Sequence, residues 1–152
     1  MAIYLIRHAH AGSRSGWSGD DDRRPLSDRG RGEAKQVFEL LRDQPITAIY
    51  SSPTARCTQT VEPLADEQGL PIQTTTVLYE GTVPDDVIAF LLDRADENPA
   101  ASSHGDVIPK VIRHLKAAGM RTSDPSDSSK GSVWVLDVED GEVVRGTYHA
   151  PT

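Results

Sequence analysis

The sequence is poor in cysteine and in aromatic residues. It has one cysteine, Cys57, with two tryptophans, four tyrosines and two phenylalanines in 152 residues. A single cysteine excludes an internal disulfide and a cysteine-based zinc cluster, and it fits the reducing cytoplasm, the location we predict. No apolar run approaches the roughly 20 residues that a membrane-spanning helix needs, so no membrane partner is expected. No basic stretch precedes the short apolar run at the N-terminus, so no signal peptide is expected.

Basic residues are also in deficit. Lysine and arginine total 16 against 23 acidic residues, which gives a formal net charge of −7. Non-specific nucleic-acid binding needs a basic face, so nucleic acid is not an expected partner. An anionic substrate must be drawn in by a local cluster of arginines. The length and a hydrophobic content of 37% predict a single domain over residues 1–152 with a substantial core.

Short apolar segments alternate with amphipathic ones along most of the chain. Strands are predicted at 2–6, 46–51, 71–77 and 100–105, with a helix after each. Ser27 is expected to cap the first helix and Ser52 the second. Strands that alternate with helices imply right-handed βαβ units and a mainly parallel sheet.

The end of the chain has a different pattern. The polar stretch 119–131 predicts a mobile loop. The segment that follows, 132–149, predicts a β-hairpin around Asp140-Gly141. The expected fold is therefore a three-layer α/β/α domain whose mainly parallel central sheet carries a C-terminal hairpin at its edge.

Polar side chains follow several predicted strands, where open α/β sheets bind ligands. Arg7 and His8 follow the first strand, Arg56 comes after the second, and His104 follows the fourth. Two arginines and two histidines on one rim form a cationic site suited to phosphate. A neutral imidazole can accept a phosphoryl group without a metal. The attacking nitrogen of His8 must be unprotonated, so we expect its other ring nitrogen to donate to a backbone carbonyl.

Three segments, "LIRHAHAG", "SSPTARCTQT" and "SSHGD", resemble the histidine phosphatase (phosphoglycerate-mutase-like) superfamily in order and spacing. The family's Arg-His-Gly signature is here Arg7-His8-Ala9. "DDDRRPLSDRGRGEA" is similar to short SixA-like phosphohistidine phosphatases. "SHGDVIP" and "KGSVWVLDV" are similar to the phosphatase domain that follows a Nudix domain in some actinobacterial proteins. No Nudix box is present in this chain.

The resemblance implies a metal-independent phosphatase that needs no cofactor. His8 would carry a phosphohistidine, while Arg7, Arg56 and His104 would hold phosphate. The implied substrate is a phosphohistidine protein, as for SixA-like enzymes. The alternative is a small-molecule or nucleotide phosphomonoesterase, in which Glu80 of "LYEG" would protonate the leaving group; Glu80 is otherwise a solvated loop carboxylate.

Three further residues are candidates to bind substrate: Ser13 and Arg14, for which a mobile solvated loop is the simpler explanation, and Arg24, which is placed to line the mouth of the site. The surrounding "DDDRR" is expected to be a self-compensating, exposed charge run.

Two other interpretations remain open at this stage. His8 and His10 have the spacing of a metal-binding pair on one side of a strand, which would need further ligands from Asp106 or from 20–22. The chain can also be a binding module that holds phosphate without turnover.

Overall fold

Strands and helices alternate from the N-terminus to residue 117 in the computed structural model, which describes residues 1–125 and 127–151. The strands are β1 (Ala2–Arg7), β2 (Ile49–Ser51), β3 (Ile72–Thr74), β4 (Ala100–Ser103), β5 (Val133–Glu139) and β6 (Glu142–His149). The α-helices are α1 (Asp28–Leu41), α2 (Ala55–Gln68), α3 (Pro84–Leu92) and α4 (Ile108–Ala117). No helix in the described ranges has the length and apolar character to span a membrane.

The six strands form one sheet in the order β3-β2-β4-β1-β5-β6. The pairs β3–β2, β2–β4 and β4–β1 are parallel, whereas β5 runs antiparallel to β1 and β6 antiparallel to β5. Asp140 and Gly141 join β5 to β6 with φ values of 52° and 77°, the left-handed conformation that a tight hairpin turn requires. The predicted parallel sheet with a hairpin at its edge is therefore confirmed.

Alternate residues of β1 pack into two different cores. Ile3 and Leu5 lie in a cluster with α3 and α4, while Tyr4 and Ile6 lie in a second cluster with α1 and α2. Because successive side chains of a strand point to opposite faces, helices cover both faces of the sheet. Burial of each large apolar side chain contributes roughly 1.5–3 kcal/mol. This confirms the three-layer architecture.

The boundaries of several elements differ from the sequence prediction. Ser27 caps α1 as expected, because its Oγ accepts a hydrogen bond from the Gly30 amide at 3.1 Å. The Ser52 cap is wrong: α2 begins at Ala55 with Thr54 at the N-cap position. The Ser52 amide still donates to Ser102 O at 3.0 Å, so the chain continues the ladder with β4 through Ser52. It enters the helix only after that residue.

Two predicted strands are shorter than expected. Only Ile49–Ser51 of 46–51 pairs as a strand, and only Ile72–Thr74 of 71–77, because the chain then enters a 3₁₀ turn at Thr76–Leu78.

The segment predicted as a mobile loop has defined partners where it is described; its residue Ser126 lies outside the described residues. Trp134 Nε1 donates to Asp127 O at 2.8 Å, and the Tyr148 amide donates to Asp124 Oδ2 at 3.0 Å. These bonds attach the segment to the hairpin, which a freely mobile loop would lack.

Candidate active site

The carboxyl ends of the neighbouring strands β1 and β4 bring His8 and His104 together. The His8 amide donates to Ser103 O at 3.0 Å, which continues the parallel ladder by one residue. The two imidazole rings meet edge-on with their centroids 5.5 Å apart. Both residues are buried. The predicted convergence of these histidines follows directly from the strand order.

His8 is oriented by its own backbone. Its Nδ1 lies 2.8 Å from Ala9 O. A carbonyl oxygen can only accept, so Nδ1 carries the proton and Nε2 is left with a free lone pair, which confirms the expected tautomer. Burial lowers the pKa of His8 to about 3, against the opposing effect of the Ala9 hydrogen bond, and the nearby positive charges of Arg56 and Arg7 lower it further. His8 is therefore neutral at pH 7 and able to act as a nucleophile.

His104 is also neutral in the absence of substrate. Its Nε2 lies 2.8 Å from Ser52 Oγ, and its Nδ1 lies 3.4 Å from Glu80 Oε1 without a hydrogen-bond partner. Burial lowers the pKa of His104 to about 4; Glu80 acts in the opposite direction and Arg56 adds to the decrease. A phosphate dianion at this position favours the protonated ring. His104 can thus gain a proton when an anion binds.

Arg7 lies between the two histidines and the segment that precedes β5. One terminal nitrogen donates to Ser128 O, while its buried Nε has no hydrogen-bond partner. Burial lowers the pKa of the Arg7 guanidinium. A Cβ on Gly105 would lie 2.5 Å from Arg7 Cζ, so only glycine at this position allows the guanidinium to pack there.

Arg56, in the first turn of α2, is surrounded by carboxylates and is 1% exposed. Its guanidinium donates to Asp21 O at 2.9 Å and lies 2.5 Å from Glu80 Oε1 and 3.4 Å from Asp21 Oδ2. Hydrogen bonding to Arg24 and the charges of Arg24, Arg56 and Arg14 lower the pKa of Asp21 against the effect of burial.

The charge run "DDDRR" compensates itself through Asp21 and Arg24, 3.0 Å apart, as predicted, but the prediction that it is exposed is wrong for Asp21, Asp22 and Arg24. Asp21 holds Arg56, and Asp22 accepts a hydrogen bond from Tyr79 at 2.8 Å.

A cleft of about 650 Å³ opens onto these groups. It is lined by Arg7, His8, Gly12, Ser13, Arg14, Arg24, Glu80, His104, Gly105, Asp106 and Lys130. All of the candidate site residues lie in or beside it; Arg56 is outside this lining and contacts Glu80. Sequence reasoning missed Lys130 and considered Asp106 only as a metal ligand.

The side chains of the three candidate substrate contacts differ in their exposure and in the hydrogen bonds that they make. Arg24 is buried and donates to Ala11 O at 2.8 Å while its Nε lies 3.0 Å from Asp21 Oδ1, so its guanidinium holds the loop together. The Arg14 side chain is 68% exposed. Ser13 caps the short 3₁₀ turn at Arg14–Gly16 through its Oγ.

Two positions that drew attention in the sequence have structural explanations. Ala9 is fully buried and its φ is not positive, so an alanine methyl is accepted where the family signature has glycine. The side chain of His10 lies against the N-terminus of α1, with its Nδ1 2.7 Å from Oγ of the N-cap residue Ser27. Residues 1–125 and 127–151 contain no group of three or more His, Cys, Asp or Glu side chains placed to hold a metal ion.

The fold is an α/β sandwich with two histidines after the adjacent strands β1 and β4, Arg7 at the end of β1 and Arg56 in the first turn of α2. The chain belongs to the histidine phosphatase superfamily (branch 1), whose model matches residues 3–85.

A curated relative, the 8-oxo-(d)GTP phosphatase of Mycolicibacterium smegmatis, is 36% identical over 154 residues. The alignment covers 98% of this chain and 48% of the relative, so the chain spans about half the length of that protein.

The fold is shared with solved structures of lower identity. The protein histidine phosphatase SixA in complex with tungstate superposes with a TM-score of 0.78 at 22% identity, over 99% of this chain and 95% of that one. A protein named SixA from Agrobacterium tumefaciens gives 0.76 at 21% identity, over 99% and 98% of the two chains.

Proposed function

We propose that this chain hydrolyses phosphate esters without a metal ion, through a phosphohistidine on His8. The observation that carries the proposal is the neutral His8 ring with its free Nε2 in a site that holds two arginines. Nε2 attacks phosphorus as the bond to the leaving oxygen breaks. Arg7, Arg56 and a protonated His104 hold the non-bridging oxygens, which carry the charge of the transition state. Water then cleaves the phosphorus–nitrogen bond and regenerates His8.

Glu80 is proposed as the proton donor to the leaving oxygen. Before phosphate binds, Glu80 Oε1 forms an ion pair with Arg56 Nη2 at 2.5 Å. A phosphate oxygen that binds Arg56 displaces this carboxylate and places a dianion beside it. Once displaced from Arg56, the Glu80 carboxyl group lies beside the reacting phosphate, where it delivers a proton to the leaving oxygen. In the second step the carboxylate accepts a proton from the attacking water.

The proposed substrates are phosphomonoesters of small molecules, nucleotides first among them. An alkoxide leaving group needs a proton, and Glu80 lines the cleft within 3.4 Å of His104. The relative from M. smegmatis, twice as long as this chain, is named for a nucleotide. This choice reverses the order of the sequence-based expectation, which favoured phosphohistidine proteins.

A phosphohistidine protein is the second candidate. Its support is the exposed rim at Ser13 and Arg14, which leaves room for a side chain on a protein surface. A protonated imidazole leaves easily, so this reaction depends little on Glu80.

The covalent intermediate is tested with an aryl phosphate in the presence of a chelator. We expect turnover to persist, and intact mass spectrometry at alkaline pH to detect one added phosphoryl group. His8→Asn should lose both signals, whereas the matched variant His10→Asn should keep them. Turnover that the chelator abolishes and that requires His10 would identify a metal enzyme. Phosphate binding without any turnover would identify a binding module.

The substrate class is tested with Glu80→Gln on an alkyl phosphate and on a phosphohistidine peptide. General acid catalysis contributes about 10²–10⁴-fold to the rate. We therefore expect Glu80→Gln to slow hydrolysis of the alkyl phosphate by at least about 10²-fold and to leave cleavage of the peptide largely unchanged. Equal rates for wild type and variant on both substrates would remove Glu80 from the mechanism. Efficient cleavage of the peptide only, by either protein, would favour the second candidate.

A further inference from the structure

We propose that Lys130 binds a second phosphate group of the substrate, the one joined through oxygen to the phosphate that His8 attacks. The inference rests on the proposed phosphohistidine chemistry at His8 and extends its substrates from phosphomonoesters to phosphoanhydrides, whose phosphate leaving group depends less on the proton from Glu80. It assigns to this chain a preference for phosphoanhydrides, such as nucleoside diphosphates and triphosphates, over molecules with a single phosphate.

Lys130 occupies a fixed turn rather than a loose loop. The Ser132 amide donates to Ser129 O at 2.9 Å, which closes a four-residue turn around Lys130 and Gly131. Gly131 has a φ of 80°, the left-handed conformation that the third position of a type II turn requires. Lys130 is therefore at the second position of a defined turn.

That turn is bonded to the backbone of the proposed nucleophile. The Gly131 amide donates to Arg7 O at 3.1 Å and lies 3.3 Å from His8 O. Arg7 in return donates through its side chain to Ser128 O. The position of the Lys130 backbone is thus set by the same residues that position the phosphate site.

Lys130 differs from the other cations of the cleft in having no partner. Arg24 binds backbone carbonyls, Arg7 binds Ser128 O, and Arg14 lies 3.4 Å from Asp21 Oδ1. Within residues 1–125 and 127–151, no hydrogen bond or ion pair of the Lys130 side chain is found, although the residue is half-buried.

In a chain whose net charge of −7 offers many carboxylates, a lysine that lines the cleft without a carboxylate partner among the described residues keeps its positive charge available to a ligand. Its placement beside the phosphate site points to an anion supplied by the substrate. The transferred phosphate already has two arginines and a histidine, so one more cation is explained by one more anionic group. Lysine binds phosphate as a compact point charge and suits this role.

The test measures affinities for inorganic phosphate and pyrophosphate by calorimetry in a His8→Asn background, where neither ligand turns over. We expect pyrophosphate to bind about tenfold more tightly than phosphate. Lys130→Gln should remove most of this preference, and Lys130→Arg should retain it. The control is Lys35→Gln, an exposed lysine on α1 outside the cleft, which should leave the preference unchanged.

Three results would overturn the assignment. Pyrophosphate and phosphate binding with equal affinity, or a preference that survives Lys130→Gln, would show that no second phosphate contacts this lysine. Equal weakening of both ligands would place Lys130 on the transferred phosphate instead. The affinity ratio does not depend on catalysis, so it decides the role of Lys130 even if the phosphohistidine mechanism fails. Kinetics with a nucleoside diphosphate add a check: Lys130→Gln should raise KM about tenfold, with a much smaller change in kcat.

Discussion

The two arginines that face the proposed phosphate site are held in opposite ways. On one side of the cleft, Arg7 binds a carbonyl oxygen, lies against Gly105 and keeps a buried Nε without a partner. On the other side, Arg56 contacts two carboxylates, Glu80 and Asp21, at 2.5 and 3.4 Å.

Because of this difference, the Arg7 side and the Arg56 side of the cleft are expected to respond differently when phosphate binds. Within the described residues Arg7 forms no close ion pair, although the charge of Asp106 acts on it, so its guanidinium is available to meet phosphate directly. Arg56 is already neutralised, so a phosphate oxygen must displace Glu80 from it. In the proposed mechanism, this rearrangement would convert Glu80 from an ion-pair partner into a proton donor next to the leaving group. One side of the site is thus prepared for binding, and the other is coupled to proton transfer.

The strongest test of this comparison is a double-mutant cycle. Arg56→Met and Arg7→Met should each lower kcat/KM about 10²–10³-fold, the usual effect of removing one donor to a transition-state oxyanion. Arg56→Met also leaves two carboxylates facing the substrate. Adding Glu80→Gln should therefore recover about tenfold of phosphate affinity in the Arg56 variant, measured by calorimetry.

The same Glu80→Gln change should give a smaller, severalfold recovery in the Arg7 variant, where Glu80 is still paired with Arg56 and only its competition with phosphate is removed. Equal recovery in both backgrounds would show that the two sides are electrostatically alike. Thermal denaturation of each variant checks that the fold is intact.

Protonation of His8 and His104 is expected to give the next largest effect, which is on the free energy of unfolding. In the folded protein the pKa of His8 is about 3 and that of His104 about 4, both below the unfolded value near 6.5. The unfolded state binds more protons between these values, so stability is complete above pH 6.5 and is lost as the pH falls. Each histidine contributes about 1.4 kcal/mol per pH unit in that window.

His8→Asn should remove one of these two contributions. Its free energy of unfolding, from urea denaturation at pH 7 and pH 5, should fall less than that of wild type. An exposed histidine provides the control: His114→Asn, whose side chain is 51% exposed, should keep the wild-type difference. An identical pH dependence for wild type and His8→Asn would contradict a neutral buried imidazole.

The sequence was sufficient for the three residues at strand ends because their positions depend on topology. Strand–helix alternation predicts a parallel sheet, and a parallel sheet brings the ends of β1 and β4 to one edge. Arg7, His8 and His104 follow from that reasoning alone. Family resemblance added Glu80, which no local pattern identifies.

The contacts that pair charges across the site were not predictable in the same way. Asp21 is separated from Arg56 by 35 residues, and its segment has the composition of any solvated charge run. Ser52 has the chemistry of a helix cap, yet the strand ladder extends past it and its hydroxyl meets His104 instead. The turn at 129–132 falls at the end of the stretch predicted as a mobile loop, and only the fold shows that it is ordered and lies beside Arg7.

Replacing Glu80 alone, which releases Arg56 from its ion pair, is expected to have a smaller effect on the affinity for phosphate. Glu80→Gln removes the carboxylate that competes with phosphate, so the affinity of the free protein for inorganic phosphate should rise severalfold, or roughly 1 kcal/mol. Calorimetry at pH 7 measures this. Asp85→Asn serves as control, because Asp85 is an exposed acid that pairs with His114 outside this cleft. Weaker phosphate binding by Glu80→Gln would mean that the carboxyl group contacts the ligand in the ground state, and would end the displacement argument.

The smallest effect is expected at Arg14, the exposed cation on the Arg56 side. Its guanidinium lies 3.4 Å from Asp21 Oδ1 and 3.7 Å from Glu80 Oε1, and its side chain is 68% exposed. Ion pairs of this kind contribute about 0.2–1 kcal/mol and are screened by salt. Arg14→Gln should therefore change phosphate affinity less than about fivefold, and the change should shrink in high salt. The matched control is Arg29→Gln, since Arg29 is 74% exposed and lies 3.7 Å from Glu33. A salt-insensitive loss of more than tenfold for Arg14→Gln would place this arginine on the substrate and give the Arg56 side a binding role equal to that of Arg7.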